Sequence, residues 1–135
     1  MIVADTNLIV AMTLPHVRTR IAEAVYRIDP DWVAPLLWRS ELRNVLAGAL
    51  RRGDVDPSTA AALAWDAEDR MTGGEYTVES EKVLRLVATS RCSAYDCEFV
   101  ALADDLGVPL VTSDGLILKE FPDLARSPEA FVRDA

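Results

Sequence analysis

The sequence predicts an α/β fold built on a central parallel sheet, and two patterns carry that prediction. Short apolar runs at Met1–Ala4, Trp32–Ala34 and Val108–Val111 read as buried strands. Between them lie stretches of helical periodicity long enough to cross back over a sheet, the alternation that parallel strands require. The 135 residues fit one domain, 1–135, with no internal repeat, low-complexity tract or linker.

Each element has its own signal. The first strand ends in Asp5-Thr6-Asn7, polar residues at a strand's carboxyl end. Helical spacing covers roughly His16 to Ile28, and Asp29-Pro30-Asp31 breaks it before the second strand. Pro35 opens a helix through about Arg52, because proline suits a first helical turn, and Gly53-Asp54 stops it. Asp56-Pro57-Ser58 starts another, running to about Met71 ahead of Gly73-Gly74, and a further helix spans Ser80–Thr89. Ser93 caps a helix to Leu106 that ends at Gly107. After the last strand come Thr112-Ser113-Asp114-Gly115, a short helical turn, and a terminal segment from Ser127 to Arg133.

Composition narrows the function classes. Half the residues are apolar and 27% are charged, an ordinary balance for a globular protein. No apolar run approaches the ~20 residues of a membrane helix. Met1–Leu14 is apolar, but its first cation is Arg18 and Asp5 and Asn7 interrupt it, so it reads as strand and turn, not as a signal peptide. A cytoplasmic protein without a membrane partner is expected. Cys92 and Cys97 match neither a zinc knuckle nor a Cys-x-x-Cys pair, and reduced, partly buried thiols are expected. His16 is the single histidine, and one histidine cannot serve as both acid and base of a metal-free ribonuclease. The net charge of −8 disfavours loose binding to a phosphate backbone, so a nuclease of this composition would import positive charge as divalent cations. No glycine-rich phosphate loop occurs.

Four acids stand out. Asp5 follows the first strand, where open parallel sheets bind ligands, although an Asp there equally caps a following helix. Asp114 occupies the same kind of place within Thr-Ser-Asp-Gly, which alone reads more readily as a turn. Asp96 shares a helix side with Phe99, Val100 and Ala103, while Glu98 and Asp105 lie opposite at about 100° per residue. A carboxylate in an apolar stripe needs a partner; the bland reading is a capping box with Ser93. Glu41, between Trp38 and Val45, borders another apolar stripe, and Arg39 and Arg43 project away from it; alone it reads as a solvated acid. Should the four meet, they would repel one another unless cations intervened. All-oxygen donors suit Mg²⁺ or Mn²⁺.

With these blocks in view, the sequence resembles the PIN-domain nucleases, in particular the VapC-type toxins of toxin–antitoxin modules. The resemblance rests on Ile-Val-Ala-Asp5-Thr-Asn7 and on Trp-Arg-Ser-Glu41-Leu-Arg-Asn-Val-Leu. It continues through Ser93-Ala-Tyr-Asp96-Cys-Glu-Phe-Val-Ala-Leu-Ala-Asp-Asp-Leu-Gly107 and Pro109-Leu-Val-Thr112-Ser-Asp114, in order across nearly the whole chain. It implies a PIN-like α/β/α sandwich whose acids converge at one edge of the sheet. Asp5, Glu41, Asp96 and Asp114 match the family's four metal-binding acids, and Asn7 and Thr112 match supporting polar positions. Cys97 stands where a small residue is common, and Leu116 and Ile117 where some members carry a further acid. The resemblance further implies a Mg²⁺- or Mn²⁺-dependent endoribonuclease, a homodimer, and a cognate VapB-like antitoxin whose C-terminal segment occupies the cleft.

Arg18, Arg20, Arg51, Arg52 and Arg91 are candidates for steering RNA or are simply solvated. Trp32, Trp38 and Trp65 are expected in the core. A dehalogenase-like phosphatase would need Asp where Asn7 stands, and a receiver domain would need paired acids and a late lysine. The serious alternative is a PIN-like module without catalysis, kept for binding or scaffolding; the presence of all four acids weighs against it.

Overall fold

Five short parallel strands form one sheet in the computed structural model, which describes residues 1–135: β1 (Ile2–Ala4), β2 (Trp32–Pro35), β3 (Glu75–Tyr76), β4 (Leu110–Val111) and β5 (Ala125–Arg126). Their order is β3-β2-β1-β4-β5. Val3 lies opposite both Val33 and Leu110, and Ala4 opposite Val111, so β1 is hydrogen-bonded on both sides. Every residue of β1, β2 and β4 is buried, as sheets covered on both faces demand, which explains their unbroken apolar sequence.

The helices are α1 (Thr6–Thr13), α2 (Thr19–Ile28), α3 (Leu37–Arg52), α4 (Pro57–Arg70), α5 (Ser80–Ala88), α6 (Ala94–Leu106), α7 (Gly115–Glu120) and α8 (Pro128–Arg133). From β1 the chain moves outward through β2 to β3, then returns to pair β4 on the other side of β1. With right-handed crossovers, α1–α4 cover one face of the sheet and α5 and α6 the other. The packing agrees: α1 contacts α2, α3 and α4, whereas α6 packs on α5, β1, β2 and β4. The α/β sandwich around a parallel sheet is therefore present. No helix is long and apolar enough to cross a membrane.

This topology puts a switch point between β1 and β4, and ligands of open α/β sheets bind at the carboxyl ends of strands flanking such a point. Helices that return antiparallel to the strands begin at that same edge. The first turns of α1, α3, α6 and α7 are thus gathered where β1 and β4 end.

Several elements differ from the sequence reading. α1 follows β1 with no intervening turn: Asp5 is its N-cap, accepting from Thr6 N, and Leu8, Ile9 and Ala11 bury one side. α2 begins at Thr19, not His16, and Pro35 closes β2, so α3 begins at Leu37. The edge strands β3 and β5 are two residues each and were not expected. At Gly74 an added Cβ would lie 2.5 Å from the Trp32 carbonyl oxygen, so only glycine lets the chain approach β2 closely enough to start β3. Trp32 and Trp38 are buried in the core, but Trp65 is 66% exposed on α4, against expectation. Both cysteines are buried free thiols, with Cys92 pushed up to about 11, chiefly by burial.

Candidate active site

Each of the four acids is held at the switch-point edge by a local device that the sequence specifies. Asp5 leaves β1 as the cap of α1, 8% exposed, with Oδ1 accepting from Thr6 N at 2.8 Å. Its Oδ2 accepts from the Thr112 hydroxyl at 2.6 Å and from Asn7 Nδ2 at 3.3 Å. Thr112 follows β4 and is wholly buried; its oxygen also accepts from Asp114 N at 2.9 Å and from Asn7 Nδ2 at 3.4 Å. Asn7 Oδ1 in turn accepts from Ser113 N at 3.3 Å. Asn7 and Thr112 thereby lace the two strand ends together.

Glu41 sits in the second turn of α3, half-buried, and its Oε1 accepts from the Thr6 hydroxyl at 2.7 Å. Thr6 is a residue the sequence reading passed over. Its backbone holds Asp5 and its side chain holds Glu41, so one threonine sets the spacing of two acids. Asp96 lies in the first turn of α6, capped by Ser93 Oγ accepting from Asp96 N at 3.1 Å. That capping leaves the Asp96 carboxylate without a hydrogen bond of its own, half-buried. Asp114 caps α7, its Oδ1 accepting from Leu116 N and Ile117 N at 2.9 and 3.0 Å, which leaves Oδ2 uncommitted. Capping and site geometry thus coexist at Asp5, Asp96 and Asp114.

The electrostatics bring three of these acids into one field. Burial raises the Asp5 carboxyl to about 6, the Thr112 and Thr6 hydrogen bonds pull it partly back, and the charges of Glu41 and Asp96 add to the rise. Glu41 is raised by burial, offset by Thr6 and reinforced by Asp96. Glu98, which the helical wheel set apart from Asp96, is half-buried and raised by burial and by the Glu41 charge. Asp114 joins the group through Thr112. Asp5, Glu41 and Asp96 are near enough to repel, but no three acids converge into a ready-made metal cage. In place of one four-acid cluster, Asp5, Glu41 and Asp96 are neighbours and Asp114 is linked to Asp5 only through Thr112.

No lysine or arginine pairs with any of the four. Elsewhere the fold supplies partners: Glu75 accepts from Arg39 Nε at 2.6 Å and Nη2 at 2.7 Å, and Lys82 reaches both Asp104 and Asp105 at 2.5 Å. Arg43 lies 3.8 Å from Glu68, so neither Arg39 nor Arg43 serves Glu41. Arg18 lines an adjacent cleft, but it donates to Glu129 and, at 3.2 Å, to Ser113 Oγ. The donor set, oxygen only and short of positive charge, fits a hard divalent cation.

Beside the acids opens a cleft of about 640 Å³ lined by Thr6, Asn7 and Glu41 together with Arg18, Asn44 and Tyr95. Tyr95 and Asn44, both exposed there, carried no signal in the sequence because nothing in their spacing marks them.

The PIN domain family model matches residues 2–123, and this span includes all four acids. No curated protein matches the chain at a significant level. A match over nearly the full length, together with the all-parallel sheet flanked by helices, leads to one conclusion: this chain belongs to the PIN domain family, whose members are in general metal-dependent nucleases.

Proposed function

We propose that this chain is a Mg²⁺- or Mn²⁺-dependent endoribonuclease that hydrolyses RNA phosphodiester bonds with Asp5, Glu41, Asp96 and Asp114 as metal-binding catalytic acids. The observation that carries the reading is a set of buried and half-buried carboxylates at one sheet edge with no protein cation to balance them. Burial of an unbalanced charge is costly, whereas Glu75, Asp104 and Asp105 elsewhere in the fold each have a cationic partner. A bound divalent ion would supply that balance, and with it Lewis acidity toward the phosphate and an acidified water.

The chain's own residues do the rest. Thr6, Thr112 and Asn7 hold Asp5 with both oxygens oriented, and Oδ1, with a single donor, keeps a free lone pair. Thr6 turns Glu41 so that Oε2 stays free to orient a water or share an ion. Asp96 and Asp114 Oδ2 face no competing hydrogen bond. Asn7 braces the strand ends so that these positions keep their spacing.

The finer biological reading follows the resemblance: a cytoplasmic toxin of a type II toxin–antitoxin module, homodimeric, and restrained by a VapB-like antitoxin. It is supported by the family match and the four sequence blocks around the acids. Purified protein incubated with a mixed RNA pool in Mg²⁺, Mn²⁺ or EDTA tests the enzyme. Cuts that require metal and vanish in Asp96→Asn are expected. A folded protein that cuts nothing with either metal would overturn the nuclease in favour of a binding module.

A further inference from the structure

The cleft beside the acids has two chemically distinct sides. One is the start of α1, where Thr6 and Asn7 hold Asp5 and Thr6 also holds Glu41. The other is a stripe on α3, where Leu37, Glu41, Asn44 and Val45 recur at helical three- and four-residue spacing and all line the cleft. Tyr95, directly before Asp96 in the first turn of α6, lines the same cleft and is 64% exposed. The side chains of Asn44 and Tyr95 make no hydrogen bond within the fold, so an amide and a phenol face the cleft without partners. Val45 is also exposed there.

Apolar walls, an aromatic ring and an uncommitted amide are what a nucleobase requires. The ring offers a stacking face, and an Asn amide can pair with a base edge as both donor and acceptor. Phosphate-driven binding is poorly served here, because the chain carries a net charge of −8 and Arg18 is already tied to Glu129 and Ser113. Affinity for a nucleic-acid strand must then come largely from its bases. A base can enter such a cleft only when unstacked from its neighbours, which selects a single strand or a loop over a duplex.

We propose that Tyr95, Asn44, Leu37 and Val45 form a nucleobase site, which holds one splayed-out base next to the scissile phosphate of single-stranded RNA. Tyr95 supplies stacking and Asn44 reads the base edge. The site rests on the ribonuclease reading for its biological meaning but is measurable without it. Because Tyr95 and Asp96 are consecutive on one helical turn, seating the base also sets where the backbone crosses the acids.

The test is equilibrium binding of short, labelled single-stranded RNAs of random sequence, with Ca²⁺ in place of Mg²⁺ to slow cleavage. Cleavage-site mapping in Mg²⁺ runs in parallel. Tyr95→Ala is expected to weaken binding and raise KM about tenfold, the scale of one lost stacking contact, whereas Tyr95→Phe restores both. Trp65→Ala removes an equally exposed ring outside the cleft and should change neither. Asn44→Ala should flatten the base preference at one position flanking the cut, and strands made abasic there should bind wild type and Tyr95→Ala alike. Binding and KM unmoved by Tyr95→Ala, with cleavage intact, would overturn the base site and leave the nuclease standing. Tyr95-dependent binding without any cleavage would do the reverse. No single-strand binding by the wild type overturns the base site outright.

Discussion

The hydroxyl of Thr112 donates to Asp5 Oδ2 at 2.6 Å, and this bond joins the ends of two strands that meet only through the sheet's central pairing. Thr112 is wholly buried, so its one proton has no water to turn to. It steadies the carboxylate that burial most penalises, and it does so from the strand that also presents Asp114. Thr112→Val keeps the shape and removes the donor. It should weaken divalent-metal affinity roughly 10- to 100-fold, as loss of a ligand-orienting partner does. It should also cost about 1–3 kcal/mol of stability, because Asp5 Oδ2 loses a donor and Asp114 N loses its acceptor. Thr112→Ser keeps the donor and should stay close to wild type in metal titration calorimetry and urea unfolding.

Asp5 makes the metal-free chain pH-sensitive. Its folded carboxyl sits at about 6 against 3.8 for the ordinary value, so the folded state binds this proton more tightly than the unfolded chain. Between those values stability falls as pH rises, and above about 6 the full penalty, on the order of 3 kcal/mol, is in place. Asp5→Asn, which retains capping ability, removes the ionisation. In EDTA the variant should therefore melt above wild type at pH 7. That advantage should shrink as pH falls through 6 and vanish near 4. A constant difference across the whole range would show that Asp5 is not the group responsible.

Cation binding should reverse that penalty. Saturating Mg²⁺ or Mn²⁺, at about 100 times its dissociation constant, adds roughly 2.7 kcal/mol to a folded state that alone binds it. Differential scanning fluorimetry should show the wild type rising with metal and falling back with EDTA. Glu41→Gln and Asp96→Asn relieve repulsion on Asp5, so both should start from a higher metal-free Tm and gain less from metal. A metal-induced rise as large in both variants as in wild type would remove these residues from the binding set.

The strands and acids were legible in the sequence to very different depths. β1, β2 and β4 announce themselves because burial on both faces demands unbroken apolar residues. β3 and β5 do not: Glu75-Tyr76 and Ala125-Arg126 are edge dipeptides whose strand character comes only from pairing with β2 and β4. α1 stayed hidden because Asp5 ends a strand and caps a helix in one residue, leaving no breaker between them. At the site, Asp5, Glu41, Asp96 and Asp114 could be picked out by motif. Thr6 could not, since its two bonds, to neighbouring Asp5 and to distant Glu41, exist only once α1 and α3 are packed. Tyr95 and Asn44 are the same case, brought to one cleft by two helices far apart in sequence.

Gly74 offers a test of the fold away from the acids. A Cβ there would come within 2.5 Å of the Trp32 carbonyl oxygen and 3.4 Å of Val33 Cα, both backbone atoms that cannot swing aside. Ala34 N donates to Gly74 O at 2.9 Å, so retreat would break the pairing that starts β3. Glu75, the next residue, accepts from Arg39 and Trp38 of α3, which ties the edge strand to the helix carrying Glu41. Gly74→Ala should therefore destabilise the chain by on the order of 1–3 kcal/mol, the usual cost of forcing atoms into a filled space. Gly115→Ala meets nothing within 4 Å at the start of α7, and should be neutral or mildly stabilising by up to about 1 kcal/mol. Denaturant midpoints of the two variants measure the contrast. Equal midpoints would mean that β3 can shift off β2 at no cost, and that the edge strand does not brace α3.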